Sequence, residues 1–176
     1  MDGLIALNLF LVAVFILLTA FFVGAEFAIL KVRMSRIDQL IAEGNKKAIV
    51  AKKVAQNLDY YLSACQLGIT ITALVLGALG EPTVEKMLHP LFERFDVPAA
   101  LSTVLSYGIA LAVVTFLHVV VGELAPKTLA IQYAEKLTLM LAPGLYRFGI
   151  VTKPFINALN GSSRTVLRWF GITYKS

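Results

Sequence analysis

Residues 61–80 and 97–122 contain no charged side chain, and residues 4–30 contain one, Glu26. Each run reaches the roughly 20 residues that an α-helix needs to cross a hydrocarbon core about 30 Å thick. Lipid offers no partner to an open N–H or C=O, so a segment inside it must close its own hydrogen bonds as a helix, even where β-branched residues cluster. Composition agrees: 58% of the chain is hydrophobic and 15% charged, where a soluble domain carries about a quarter charged residues. The expectation is an all-α membrane protein with three transmembrane helices, spanning about 4–30, 61–80 and 99–123. The first run has no Lys or Arg before Lys31 and exceeds the roughly 7–15 apolar residues of a signal peptide. It is read as a retained span.

Basic residues orient the spans. Seven of them, from Lys31 to Lys53, fall between the first two runs, and seven more, from Lys127 to Lys175, follow the third. Residues 81–96 carry only Lys86 and Arg94 against Glu81, Glu85, Glu93 and Asp96. The positive-inside rule then puts the N-terminus outside, residues 31–60 inside, 81–96 outside as a loop, and the tail in the cytoplasm. This is the topology of a multi-pass plasma (inner) membrane protein. The net charge of +5 suits anionic headgroups on the cytoplasmic face. No basic, aromatic-interleaved motif accompanies it, so nucleic acid is not an expected partner.

Residues 35–59 read as two cytoplasmic helices. Ser35 is the candidate N-cap of the first, with Ile37, Leu40 and Ile41 as its apolar stripe, and Gly44-Asn45 stops it. The second presents Val50, Val54 and Leu58, widened by Ala51. Residues 127–176 form a juxtamembrane belt and tail. Within them, Pro143-Gly144 is expected to break residues 137–152 into a bent pair of interfacial helices, with Arg147 and Lys153 reaching the headgroups. The stretch SSRTVLRWFGI reads as a helix on the cytoplasmic surface. The chain has no internal repeat. Its one cysteine, Cys65, cannot form an intrachain disulfide and is expected to pack.

The chemistry lies in HVVVGELAPK, residues 118–127. A carboxylate within the membrane costs about 2.5–3.5 kcal/mol at a helix centre, so Glu123 needs a reason. One is structural: Lys127 stands at i+4, the favourable order for a Glu–Lys pair. The other begins with Pro126. Proline has no N–H to give the carbonyl at i−4, here Gly122, and its ring pushes that carbonyl aside. A freed backbone oxygen beside a carboxylate at membrane depth is a hard-oxygen site suited to Mg²⁺ or Na⁺. The residues alone leave both readings open. Glu26 sits at similar depth and either helps hold a divalent ion or serves structure at the headgroups. On the second span Ser63, Gln66, Thr70 and Thr72 suit interhelical hydrogen bonds, and one or two of them suit an ion pathway. His118, five residues before Glu123, falls about 140° away at roughly 100° per residue, on another face.

Three stretches taken in order, VGAEFAILKVRMSRIDQLI, NLDYYLSACQLGITITALVLGALGEP and HVVVGELAPKTLAI, resemble the transmembrane domain of the CorC/CNNM magnesium transporter family, in its bacterial hemolysin-like branch. The resemblance implies three membrane helices per subunit with a belt of juxtamembrane helices, assembled as a homodimer. It implies Mg²⁺ efflux driven by Na⁺ and a cytoplasmic CBS-domain pair after residue 176. Carried over by position, Glu123 and the carbonyl of Gly122 are the expected cation ligands, with Ser63 matching a serine of the second helix. Many relatives have serine near Ala25 and asparagines where this chain reads GITITA, so Thr70, Gln66 or water would have to stand in. Two other functions compete: a non-transporting scaffold or Mg²⁺ sensor acting through cytoplasmic domains, and a pore-forming protein. No nucleophile–base pair, phosphate loop or cysteine cluster supports a soluble enzyme.

Overall fold

The apolar runs fold as helices longer than the runs themselves. The structure, a computed structural model, describes residues 2–172, with side chains from residue 3. Its elements in chain order are α1 (Asp2–Lys31), α2 (Met34–Ala42), α3 (Lys46–Gln56), α4 (Leu58–Arg94), α5 (Ala99–Leu117), a π-helical segment (His118–Leu124), α6 (Ala125–Gln132), α7 (Ala134–Val151) and α8 (Lys153–Trp169). Among the described residues no strand occurs. Three helices are long and apolar enough to cross a membrane: Gly3–Lys31, Leu58–Arg94 and the continuous Ala99–Gln132. The protein is an all-α membrane protein.

Four local expectations change. Residues 81–94 are helical rather than a loop, and α4 runs through Pro82 and Pro90. Proline removes one bond on the i−4 ladder, and in membrane helices neighbouring hydroxyls help to re-satisfy the freed groups. The carbonyl freed by Pro82 is that of Ala78, while the hydroxyl of Thr83, next to the proline, goes to the adjacent Leu79 carbonyl at 2.6 Å. Residues 137–152 also do not break. α7 passes through Pro143 because the flanking Ala142 and Leu145 are fully buried, so packing holds the helix where the local signal would end it. Ser35 is not a cap: α2 starts a residue earlier, from Arg33 in extended conformation, without a side-chain bond. The tail helix begins well before Ser162, at Lys153.

The chain forms two compact units, Met1–Val23 with Gly68–Thr128, and Gly24–Leu67 with Leu129–Ser176. In the first, Thr19 of α1 donates to Thr72 Oγ1 of α4 at 2.7 Å, and Thr72 donates onward to the Ile69 carbonyl at 2.9 Å. Such interhelical bonds contribute about 0.6–1.7 kcal/mol in membranes. The buried face of α5 is a stripe of Ser102, Ser106, Ala110 and Val114, four residues apart, and Val114 packs against Gly80 of α4. Small residues matter here because lipid tails are as apolar as leucine, so close packing rather than water exclusion joins the helices.

The second unit has an aqueous-type core. Ile37 and Leu40 of α2 are buried, as are Ala48, Ala51 and Val54 of α3. Gly44 (φ +91°) makes the turn between these helices, and Asn45 caps α3 by accepting from the N–H groups of Lys47 and Ala48. Ion pairs lie over this layer: Lys52–Asp38 at 2.9 Å and Arg36–Glu135 at 3.0 Å. The Glu135 hydrogen bond holds the Arg36 guanidinium pKa above its ordinary value. Tyr60 donates its hydroxyl to the Gly149 carbonyl of α7 at 2.5 Å, and the Tyr61 ring lies directly over Gly149. A Cβ added at Gly149 would stand 2.7 Å from that ring. Gly149→Ala should therefore lower stability by about 1–3 kcal/mol, the usual cost of overpacking. Tyr60→Phe should lose only about 1 kcal/mol, one hydrogen bond. Thermal unfolding in one detergent checks both, and an unchanged midpoint for Gly149→Ala would show the contact to be slack.

Candidate cation site

The third span changes register at its functional motif. From His118 to Leu124 the backbone is π-helical, and the Ala125 N–H bonds the Val120 carbonyl, five residues back. π-Helical turns are rare and occur frequently at functional sites. In this register a side chain lies above the one five residues on, so His118 and Glu123 share a face. His118 Nδ1 is 3.9 Å from Glu123 Oε1. The expectation of separate faces is thus overturned, because roughly 100° per residue applies only to an unbroken α-helix.

Pro126 explains where the register slips. Having no N–H, it can donate neither to Val121 on the π pattern nor to Gly122 on the α pattern. The carbonyls at the end of the π-helical segment therefore lose their usual donor. Gly122 is buried, and a Cβ there would meet Thr19 Cγ2 at 3.3 Å and His118 Cδ2 at 3.5 Å. Glycine lets α1 come close, with Thr19 against the backbone that carries Glu123. Glu123 itself is half-buried, its side chain 40% exposed.

The other residues singled out from sequence divide between the two units. Thr70 belongs to the unit of Gly122 and Glu123 and is exposed on α4. Glu26, Ser63 and Gln66 belong to the other. Gln66 is exposed, Glu26 is half-buried near the end of α1, and Ser63 donates to Asn160 Oδ1 of α8 at 2.6 Å. Ser63 also lines a polar cavity of about 500 Å³ with Asp59, Asn157, Asn160 and Arg164. Thr19 and Asn160 went unnoticed in the sequence. Thr19 was findable as the sole hydroxyl residue within 4–30; Asn160 needed the start of α8 at Lys153. Among the described residues no three His, Cys, Asp or Glu side chains converge on one ion position. The oxygens on offer at Gly122–Glu123 are a carboxylate and backbone carbonyls, since Thr19 turns its methyl toward Gly122 and its hydroxyl toward Phe15 and Thr72. Such a set suits a hard cation that keeps several waters.

Three membrane helices, one slipping register at a Gly–Glu pair before a proline, together with shorter amphipathic helices, define a polytopic membrane protein. The chain belongs to the CNNM (CorC) family: residues 10–176 match the model described as the Cyclin M transmembrane N-terminal domain. It is 60% identical over 165 residues to UPF0053 protein YhdP of Bacillus subtilis, a match covering 94% of this chain and 37% of that protein. Identity to UPF0053 protein YhdT of the same organism is 58% over 165 residues, 94% of this chain and 36% of the relative. UPF0053 protein sll0260 of Synechocystis is 36% identical over 171 residues, 97% and 38% of the two chains. The chain thus spans little more than a third of the length of these curated relatives.

Proposed function

We propose that the chain is the membrane part of a secondary transporter that exports Mg²⁺ from the cytoplasm, coupled to Na⁺. One observation carries this reading: the π-helical segment brings a carboxylate and a glycine carbonyl to the point where Pro126 removes the helical donor. Irregular backbone at membrane depth is tolerated only where it is buried in protein or lines a cavity, and discontinuous helices are where transporters bind their ions. Glu123 and the Gly122 carbonyl form the first ligands. Thr70, in the same unit as Gly122 and Glu123, and water complete the shell.

The mechanism is alternating access. An inward-open site takes a partly hydrated Mg²⁺, the cytoplasmic side closes, and the ion leaves outward as Na⁺ replaces it. The protein sits in the plasma (inner) membrane with its N-terminus outside and its C-terminus in the cytoplasm. A homodimer fits the exposure of Gln66 and Thr70 on one face of a membrane helix, where contact with lipid would leave polar groups unsatisfied. In the whole protein a cytoplasmic CBS-domain pair follows. Mg²⁺ flux in reconstituted vesicles, with and without an opposing Na⁺ gradient, tests the reading. Export that stops when the gradient is removed is the expected result. Mg²⁺ binding without flux would instead favour the scaffold or sensor role.

A further inference from the structure

The polar cavity of about 500 Å³ belongs to the second unit and plays no part at Gly122–Glu123, which belong to the first. One wall is the first turn of α4, from Leu58 to Ser63. The other is the face of α8 with Asn157, Asn160, Arg164 and Leu167 at i, i+3, i+7 and i+10. Asp59 is the last charge before the uncharged residues 61–80, so the cavity stands at one edge of the second span, at headgroup level. α8 suits that edge. Beside its polar face it exposes Phe155, Leu159, Val166 and Trp169, at i, i+4, i+11 and i+14, with Trp169 78% exposed. A helix with an aromatic apolar stripe next to basic residues lies in the interface plane, its apolar side among acyl chains.

Two opposite charges face this cavity without pairing with each other. Arg164 makes no hydrogen bond or ion pair among the described residues, so its guanidinium and the Asp59 carboxylate stand apart. Asp59 has an interaction of its own, but a carboxylate has about four acceptor positions, and the residue is exposed. A dipolar ligand fits between two such charges. We propose that the cavity binds the phosphoethanolamine headgroup of a membrane lipid, with the phosphate on Arg164 and the ammonium on Asp59. Asn160 takes the Ser63 hydroxyl on its Oδ1 at 2.6 Å, which leaves its amide N–H groups for a phosphate oxygen. Leu58, Leu62 and Leu167 line the apolar part of the wall and meet the start of the acyl chains. Asp59 sets the choice of headgroup. It repels a headgroup that carries only negative charge, and a choline ammonium has no N–H to give it, whereas ethanolamine has the three donors of a primary ammonium. The volume lies within the roughly 300–1,000 Å³ of small-molecule sites.

The test is native mass spectrometry of the delipidated protein in detergent. It is titrated with phosphatidylethanolamine, phosphatidylcholine and phosphatidylglycerol of matched acyl chains. One phosphatidylethanolamine per chain should bind, about tenfold or more tighter than either other lipid, the worth of one charge-assisted hydrogen bond. Arg164→Gln should weaken it by a similar factor. Arg164→Lys should largely restore it, because a point charge still meets the phosphate. Asp59→Asn should abolish the preference for ethanolamine over choline. Lys46→Gln, a basic residue outside the cavity, should bind as the wild type does. Arg164 and Asp59 are both exposed, so their variants should unfold at the wild-type midpoint; should either lose stability, the wild-type ranking of the three lipids decides. Equal affinity for the three lipids overturns the proposal, as does an Arg164→Gln protein with wild-type affinity. Soluble phosphoethanolamine, lacking acyl chains, should compete only in large excess. Displacement of the lipid at equal concentration would assign the cavity to a free phosphomonoester and overturn the membrane-lipid source.

Discussion

Replacing Glu123 by glutamine should weaken Mg²⁺ binding a hundredfold or more, about 2.8 kcal/mol, while the protein stays folded. Glutamine keeps the size and one carbonyl oxygen but removes the charge that offsets a partly dehydrated divalent ion. The expected stability change separates this role from a structural one. A carboxylate at membrane depth is itself unfavourable, so a Glu123 kept for ion binding should become easier to insert and at least as heat-stable when neutralised. A Glu123 kept as the partner of Lys127 should behave otherwise. Then Lys127→Met and Glu123→Gln would damage folding to a similar degree, because each strands the other charge. In either case His118 is a further neighbour of the carboxylate, with Glu123 Oε1 3.9 Å from His118 Nδ1. Calorimetric Mg²⁺ titration beside thermal unfolding of both variants is the measurement. A well-folded Glu123→Gln protein with unchanged Mg²⁺ affinity would remove Glu123 from the site.

The spans were legible because the solvent dictates them: an uncharged run of twenty residues in lipid has one backbone solution. The stripe of Ile37 and Leu40, the stop at Gly44 and the packing role of Cys65 were legible for the same kind of reason, since each answers a local demand. What escaped was set by tertiary contact. Pro143 announces a break, yet the buried Ala142 and Leu145 on either side keep α7 whole. Residues 81–94 carry two prolines and alternating charge, and still extend α4. At the site, Gly122 and Pro126 pointed to a freed carbonyl, but periodicity counted His118 onto the wrong face. No residue pattern marks a π turn; only the backbone shows the extra residue it absorbs. Ser63 was noticed without its partner, because Asn160 lies on a helix whose start the tail sequence did not reveal.

Pro126→Ala should give the protein its least intuitive behaviour, greater stability with poorer ion binding. Alanine restores an N–H in a helix interior, a gain of about 3 kcal/mol over proline. Pro126 is buried, and trimming its two ring methylenes costs about 1.6 kcal/mol if they leave an apolar contact. The balance favours the variant by roughly 1 kcal/mol, and its unfolding midpoint should rise by a few degrees. The restored donor then has a choice of two acceptors. On the α pattern it takes the Gly122 carbonyl, and on the π pattern it takes Val121. Either bond ties down an oxygen that the wild-type chain leaves without its usual helical donor. The α choice would also pull the segment from His118 to Leu124 toward regular helix and turn Glu123 away from His118. Mg²⁺ affinity should fall at least tenfold, less than for Glu123→Gln because the carboxylate remains. Calorimetry and a melting curve on the same preparation read both effects. A more stable Pro126→Ala protein with wild-type Mg²⁺ affinity would mean that neither carbonyl is a ligand and that the π-helical segment serves packing against Thr19 alone.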